Sequence, residues 1–551
     1  MENIWLQVDC LKKYLKEQEI LSPGEVIEAQ MVRRRFEKNL GWVIEFKIKE
    51  ARKPVKKNVW LTESTTSEYT GIVQKAMGNR FMLCIEGPHN ITEGKIYKLC
   101  RKVPSEKYLI QAMYDIRKLE GPQRALRDLL LNRNPIMVDR QPELTFINSK
   151  LDISQKQAVS HCLSARVTVL QGPPGSGKTS TITEVLAQCR KGGKKVLMLA
   201  PSHSAVDNIL GKMMKMDKRG LIRLGHPACT SFPEMCLANR AREAGNTEKD
   251  LLHSASVVFG TLAGCIKPVA SMKKNHFWMT MVDEAGQCME CAVWSVVQYT
   301  NILVLAGDFQ QLGPTIKSCD KSIRDILGRS MIERIANERV ELIQTLSVQY
   351  RMSDDIMQWS NMTFYGGNLK SASSVANINL LSLPRVKFSR LPTKRTLYLI
   401  DTNGRKKEFV DDEGEGNSFY NPGESASVVK LIKRFLYSGI KQSQMGVISF
   451  YTRQINDIEA RLKMKNIEHV EVKSVDSFQG REKEIIILSM VRSNTDQNIG
   501  FLKDPKRLNV SATRAKRLLV VVVDTKTFQH NEIFESFFKY LKMYGDVKIF
   551  G

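Results

Sequence analysis

Apolar positions along the chain fall into three successive rhythms. At the start, Ile4, Leu6, Val8, Leu11 and Leu15 stand among charged residues and predict an amphipathic helix that ends at Ser22-Pro23-Gly24. From residue 25 to about 105 the rhythm shortens. Alternating runs such as WVIEFKIKE, NVWLT and RFMLCIEG are separated by the turn-like strings KNLG, MGNR and GPHN, which predicts a small antiparallel β domain, a barrel. Residues 106–132 return to a helical pattern, with Leu109, Ile110, Met113, Ile116 and Leu119 on one face. Beyond about residue 140, short apolar runs alternate with helical stretches, the mark of a parallel α/β sheet. One series of strands is expected at 167–170, 196–200, 256–259, 278–282 and 302–306. A second is expected at 396–400, 446–450, 470–473, 484–490 and 518–523. The polar, glycine-rich stretch 404–424 is expected to be an exposed loop.

The predicted fold class is therefore α/β. Residues 1–24 form a first helix, 25–105 the β domain, 106–145 further helices, and 146–345 and 346–551 two α/β domains. A charged, helix-like insertion over 211–252 is too short for a large extra module.

Charge changes the picture more than size does. Lys and Arg number 83 against 58 acids, a formal net charge of +25, more than a small ligand requires. That excess points to a polyanionic partner, nucleic acid first, against the plainer reading of a lysine-rich surface. Arg52-Lys53-Pro54-Val55-Lys56-Lys57 reads equally as a phosphate grip or a solvated loop. No run of 18 apolar residues occurs, so no transmembrane span is expected. Acids and bases come too early at the N-terminus for a signal peptide, so an intracellular place, cytoplasmic before nuclear, is expected. The 11 scattered cysteines are then expected to be reduced. Cys288 and Cys291 make a single C-x-x-C with no second pair at zinc-finger spacing, and are read as packed helix positions.

The first chemical motif is GPPGSGKT: Gly172, Pro173, Pro174, Gly175, Ser176, Gly177, Lys178 and Thr179, with Ser180 next. It follows a β-branched run ending at Leu170 and precedes a helix beginning near Lys178. The glycines let backbone N–H groups curl around phosphate oxygens, and the helix adds its positive end. Lys178 is expected to reach the β- and γ-phosphates, and Thr179 to place its hydroxyl on Mg²⁺. About a hundred residues on, Asp283 and Glu284 follow another apolar run. Asp283 is the candidate to hold Mg²⁺, directly or through water, and Glu284 the candidate that polarises the attacking water. The cofactors implied are ATP and Mg²⁺.

Four later strings narrow the class: GDFQQLGP from Gly307, QYRM from Gln349, VDSFQGRE from Val475 and RLNVSATRA from Arg507. In this order over roughly residues 150–525, they resemble the motifs of superfamily 1 helicases, most closely the Upf-like branch of subgroup 1B. That branch includes the nonsense-mediated-decay helicase, senataxin, the immunoglobulin mu-binding helicase and the Argonaute-associated RNA helicases. The resemblance implies two tandem RecA-like P-loop domains, with an N-terminal helical stalk and a small β-barrel. It also implies 5′→3′ movement along a single strand, driven by ATP hydrolysed in the cleft between those domains.

Residue roles follow from the same resemblance. Gln155 would read the adenine edge, since an amide offers donor and acceptor together. Tyr350 would stack on the base and Glu482 contact the ribose. Gln311 would sense the γ-phosphate, and Arg351 and Arg514 would meet the charge developing on it. Pro201, Ser202 and His203, with Thr261, Ser474, Asp476 and Gln479, would touch the nucleic-acid backbone without reading base identity. His203 departs from the family's usual asparagine. Expected partners are single-stranded or partly duplex RNA or DNA, with ribonucleoprotein or RNA-silencing and decay proteins behind them. No membrane is expected, and a monomer is. DEAGQCME around Glu284 leans toward the RNA-directed relatives. The alternative is an ATP-gated RNA clamp without productive unwinding. A small-molecule kinase or GTPase fits neither the basic charge nor the absence of an Asn-Lys-x-Asp string.

Overall fold

The computed structural model describes residues 2–549 apart from 22–25, 38–40, 49–58, 65–66, 78–79, 86–90, 102–106, 135–142, 388, 390, 403–409 and 415–417. The basic stretch 52–57, the Ser-Pro-Gly turn at 22–24 and much of the glycine-rich stretch lie outside the described residues. The chain divides into two units. The first comprises Met1–Gln171, Thr179–Phe309 and Gly313–Gln344; the second comprises Gly172–Lys178, Gln310–Leu312 and Thr345–Gly551.

In the first unit, helix Glu2–Leu21 buries Ile4, Val8 and Leu11 in a core shared with Leu109, Met113 and Ile116. Leu6 does not join them and is 50% exposed, because a residue two positions from Ile4 points to the far side of a helix. Residues 106–132 are not one helix. They break into Lys107–Asp115, a tight turn Ile116–Lys118, and Gly121–Leu130, restarting where Pro122 is tolerated in a first turn.

Between these helices run β1 (Val26–Glu37), β2 (Gly41–Ile48), β3 (Val59–Ser64), β4 (Ser67–Met77), β5 (Arg80–Ile85) and β6 (Ile96–Arg101). They close into an antiparallel barrel of order β1-β2-β5-β4-β3-β6. Its interior takes alternate residues, among them Ile44, Phe46 and Ile48 from β2 and Phe81, Leu83 and Ile85 from β5.

The rest of the unit is a seven-stranded sheet: β7 (Val167–Gln171), β8 (Val196–Ala200), β9 (Leu221–Arg223), β10 (Val257–Thr261), β11 (Phe277–Val282), β12 (Thr300–Gly307) and β13 (Ile343–Thr345). The order is β13-β7-β12-β11-β8-β10-β9. Strands β7 to β12 pair in parallel, and β7, β8 and β10 are buried throughout, as strands covered on both faces must be. The insertion expected to be helical instead supplies β9 to this sheet before its helices Leu237–Ala244 and Glu248–Ser254.

The second unit pairs β14 (Val348–Gln349) with β15 (Lys370–Ser371). Its main parallel sheet contains β16 (Leu397–Asp401), β19 (Met445–Ser449), β20 (Glu471–Ser474), β21 (Lys483–Ser489), β22 (Ala515–Val523) and β23 (Asp546–Ile549), in the order β20-β19-β21-β22-β16-β23. Along β16, Leu397 and Leu399 enter one core and Tyr398 and Ile400 the other, so helices cover both faces. The stretch expected to be an exposed loop contains a hairpin, β17 (Asp412–Gly414) with β18 (Ser418–Tyr420), and then turns inward. Asn421 and Glu424 are fully buried there, with Asn421 Oδ1 accepting from Glu424 N at 3.0 Å to cap helix Pro422–Tyr437.

Candidate nucleotide and nucleic-acid site

In the first unit, Pro201–His203, Thr261 and Asp283–Glu284 lie at the carboxyl ends of β8, β10 and β11, where open α/β sheets bind ligands; in the second unit, Glu482 and Arg514 immediately precede β21 and β22. The glycine loop follows β7 and leads into helix Lys178–Lys191. Gly175 has φ +75° and a Cβ there would lie 2.6 Å from Arg351 Cβ; a Cβ on Gly172 would lie 2.8 Å from Lys178 Cβ. The loop is therefore a tight cradle whose two glycines are required by the close approach of Arg351 and of the loop's own Lys178. Gly175 O accepts from Tyr350 N at 2.8 Å. Pro173, Pro174 and Ser176 are buried, while Gly177, Lys178, Thr179 and Ser180 are half-buried.

Asp283 ends β11 nearly buried, its Oδ1 accepting from Glu284 N at 2.9 Å. Glu284 adopts φ +51°, a left-handed backbone uncommon outside glycine and concentrated at functional turns. Gln287 Nε2 donates to its Oε2 at 3.2 Å. Lys212, half-buried on helix His203–Met216, is a residue the sequence reading missed. Burial pushes its ammonium below the usual lysine range, opposed by the Asp283 carboxylate and reinforced by Lys215.

A hydroxyl of Thr179 and a carboxylate of Asp283, with phosphate oxygens and water completing the shell, is a donor set that suits Mg²⁺. The cradle suits a triphosphate. No group of three or more His, Cys, Asp or Glu placed to hold a metal ion occurs among the described residues.

In the second unit, Arg514 is buried after helix Pro505–Ala512. Its Nη2 donates to Gln311 Oε1 at 3.3 Å and to Thr513 Oγ1 at 3.0 Å, and its Nε to Val510 O at 2.9 Å. Two sequence-predicted residues are thus in direct contact. Arg351 and Glu482, assigned separately to γ-phosphate and ribose, are bound to each other: Arg351 Nε donates to Glu482 Oε2 at 2.5 Å. Lys516, also missed by the sequence reading, holds Glu482 Oε1 at 3.0 Å. Burial raises the Glu482 carboxyl, but Arg351 and Lys516 outweigh it and hold the group below the usual carboxylate range. Tyr350 is 41% exposed, as a stacking platform must be and a core tyrosine is not.

Gln155 is buried and serves a helix. Its Oε1 accepts from Asp152 N at 3.1 Å while Asp152 Oδ1 accepts from Gln155 N, a reciprocal capping box.

The candidate nucleic-acid hydroxyls share one structural role. Ser202, Thr261 and Ser474 are each a helix N-cap, accepting from Ala205, Gly264 and Ser477 N–H respectively. Ser474 Oγ also donates to Ser477 Oγ at 3.0 Å, and Thr261 is buried. Pro201 and Gln479 are half-buried, and exposed Asp476 lies 3.6 Å from Arg507. His203 sits at the surface but its ring is partly desolvated. Arg223 Nη2 donates to its Nδ1 at 3.0 Å. Burial and Arg223 push the imidazole below its ordinary pKa, against a smaller pull from Asp207. Arg223, another residue the sequence did not flag, is 1% exposed and is paired to Asp207 at 3.1 Å.

A glycine phosphate cradle on a parallel sheet, with a carboxylate pair at the end of a strand two places away, defines the P-loop nucleotide-binding class. Two family models, each described as an AAA domain, match residues 150–243 with 234–319, and residues 327–526. The chain is 32% identical to the DNA-binding protein SMUBP-2 of Mus musculus, over 88% of this chain and 54% of that protein. It is 28% identical to the DNA polymerase alpha-associated DNA helicase A of Saccharomyces cerevisiae, over 91% of this chain and 86% of that one. It is 32% identical to the regulator of nonsense transcripts 1 homolog of Drosophila melanogaster, over 78% of this chain and 39% of that one. The chain belongs to the Upf-like branch of the superfamily 1B helicases. It spans about half the length of SMUBP-2. No helix among the described residues is long and apolar enough to cross a membrane.

Proposed function

We propose that this chain is an ATP-dependent helicase or translocase on single-stranded or partly duplex nucleic acid, built on two RecA-like domains with a stalk and barrel as accessories. The observation that carries the reading is the contact of Arg514 with Gln311, added to a glycine phosphate-loop motif set between a buried strand and a helix. ATP with Mg²⁺ would supply the γ-phosphoryl group and the metal that neutralises its oxygens. Lys178 and the loop N–H groups hold phosphate; Thr179 and Asp283 hold the metal. Glu284, set by its left-handed backbone and by Gln287, orients water and takes its proton. Gln311 and Arg514 act as one unit on the transferred group. Arg351 meets the same charge once released from Glu482, and the ribose hydroxyls are the natural replacement for the guanidinium on that carboxylate.

Ser202, His203, Thr261, Ser474, Asp476 and Gln479 would follow the sugar-phosphate backbone. The proposed 5′→3′ direction rests on family membership. The DEAGQCME string favours RNA, while two of the three relatives above carry DNA in their names, so polymer choice is left to experiment. The test is ATP turnover without polymer, with single-stranded RNA and with single-stranded DNA, beside Glu284→Gln. Polymer-stimulated turnover absent from the variant is the expected result, and the better activator identifies the substrate. Polymer binding without turnover under any condition would overturn the motor and leave an ATP-gated clamp.

A further inference from the structure

Helices Pro422–Tyr437 and Thr452–Lys463 cover one face of the second unit's sheet, packing through Val428, Ile432, Phe435, Ile458 and Leu462. The helix leading to Arg514 and the turn after Ser474 pack on the other face, through Leu508, Val510, Val475 and Phe478. On the outer side of the first pair lies a groove of about 850 Å³. It belongs to none of the residues assigned above.

Its rim is cationic. Lys430, Lys433 and Arg434 line one side, and Lys465 and Arg461, the latter paired with Asp457 at 2.8 Å, the other; no Asp or Glu is among the described lining residues. Between them the surface is apolar: Ala426 and Val429, with Tyr437 and Met464 left 65% and 72% exposed. The lining residues of the longer helix, 426, 429, 430, 433, 434 and 437, recur at helical spacing. They mark a continuous strip of about three turns, roughly 17 Å. Two neighbouring apolar side chains this exposed, ringed by like charges, are a costly surface for an isolated domain. They are a natural one for a ligand with an apolar centre and acidic flanks.

We propose that this groove docks an acidic amphipathic helix from a partner protein. Apolar side chains at i, i+4 and i+7 would cover Ala426, Tyr437 and Met464, with Asp or Glu flanking them against the lysines and arginines. A polynucleotide fits less well, because the floor is mostly aliphatic and offers one ring where a strand needs a series of stacking faces. The proposal does not depend on the ATPase reading.

The test uses the full chain and a fluorescent probe peptide of about 18 residues, with Leu on one helical face and Glu beside it. A control peptide has the same composition and a scrambled pattern. Anisotropy is expected to show the patterned peptide binding at least about tenfold more tightly than the scrambled one. Lys430→Glu/Lys433→Glu/Lys465→Glu is expected to weaken it about tenfold or more, and Tyr437→Ser/Met464→Ser several-fold. ATP turnover should stay at the wild-type level in both variants, which shows that they fold. Equal binding of the two peptides, or binding indifferent to charge reversal, would overturn the proposal. So would displacement of the peptide by a single-stranded oligonucleotide with no effect of the apolar substitutions, which would mark a polyanion site.

Discussion

Arg223→Met isolates the link between fold and the proposed nucleic-acid contact in the first unit. Arg223 reaches Asp207 Oδ1 at 3.1 Å, His203 Nδ1 at 3.0 Å and the Leu224 carbonyl. Asp207 also accepts from Thr230 Oγ1 at 2.9 Å and Ser231 N at 2.8 Å. Methionine keeps most of the volume and removes the cation. A carboxylate that is 7% exposed is then left with two neutral donors. Breaking a buried pair by removing one partner costs about 3–5 kcal/mol, because the remaining charge stays desolvated. Urea unfolding should show that loss, and hydrogen exchange should show it concentrated in helix His203–Met216. Adding Asp207→Asn removes the stranded charge and should recover about 1–3 kcal/mol. Affinity for single-stranded polymer should fall in both variants, since both leave His203 without its guanidinium donor. A loss below about 1 kcal/mol, or an Asp207→Asn change that destabilises Arg223→Met further, would refute the argument.

Three further expectations are sharper in direction than in size. Gly175→Ala forces a Cβ to 2.6 Å from Arg351 on a backbone at φ +75°, so nucleotide binding should fall steeply, read by ATP-analogue titration. Arg514→Lys removes the fork shared by Gln311, Thr513 and Val510; maximal ATP turnover should drop about a hundredfold or more, with little change in polymer affinity. Glu424 is fully buried, and that burial pushes its carboxyl up to about 8, with Ser489 and Val491 N–H opposing and Asp524 and Asp411 adding to the rise. Its folded form keeps a proton that the unfolded chain loses near 4.5, so its contribution is complete below pH 4.5 and is lost as pH rises through about 8. Glu424→Gln should flatten that decline in second-unit stability; an unchanged slope would show that another group causes it.

The sequence made the sheets legible because buried strands are long, β-branched and bounded by turns. All ten expected α/β strands are present, from Val167–Gln171 to Ala515–Val523. What escaped notice was short or polar. Leu221–Arg223 is three residues, and Asp546–Ile549 is an edge strand whose last three residues are exposed. The 412–420 hairpin has too few apolar positions to signal its pairing. Its role lies in side chains: Asp411 and the ring of Phe419 hold buried Arg492. Within the candidate site, the contiguous motifs are visible in the sequence because their glycine, hydroxyl and lysine positions keep a fixed local spacing. The partners that tune them, Lys212 beside Asp283, Lys516 on Glu482 and Arg223 on His203, come from elsewhere in the chain, where spacing carries no signal.

Gln155 shows how one local pattern can carry two meanings. Asp152-x-x-Gln155 ahead of an apolar helix is a helix-start signal in its own right, and the structure uses it so. The family resemblance gives the same glutamine to adenine. These assignments are compatible on physical grounds. A capping bond from Asp152 N fixes the amide plane before any base arrives, and a carbonyl oxygen has two lone pairs. The cap would therefore lower the ordering cost of the proposed base recognition. Gln155→Glu would keep the cap acceptor while removing the amide donor. It should leave helix Ile153–Ser164 intact by hydrogen exchange and weaken ATP relative to a triphosphate without a base. Loss of both helix protection and ATP affinity would show that the residue acts through the fold alone.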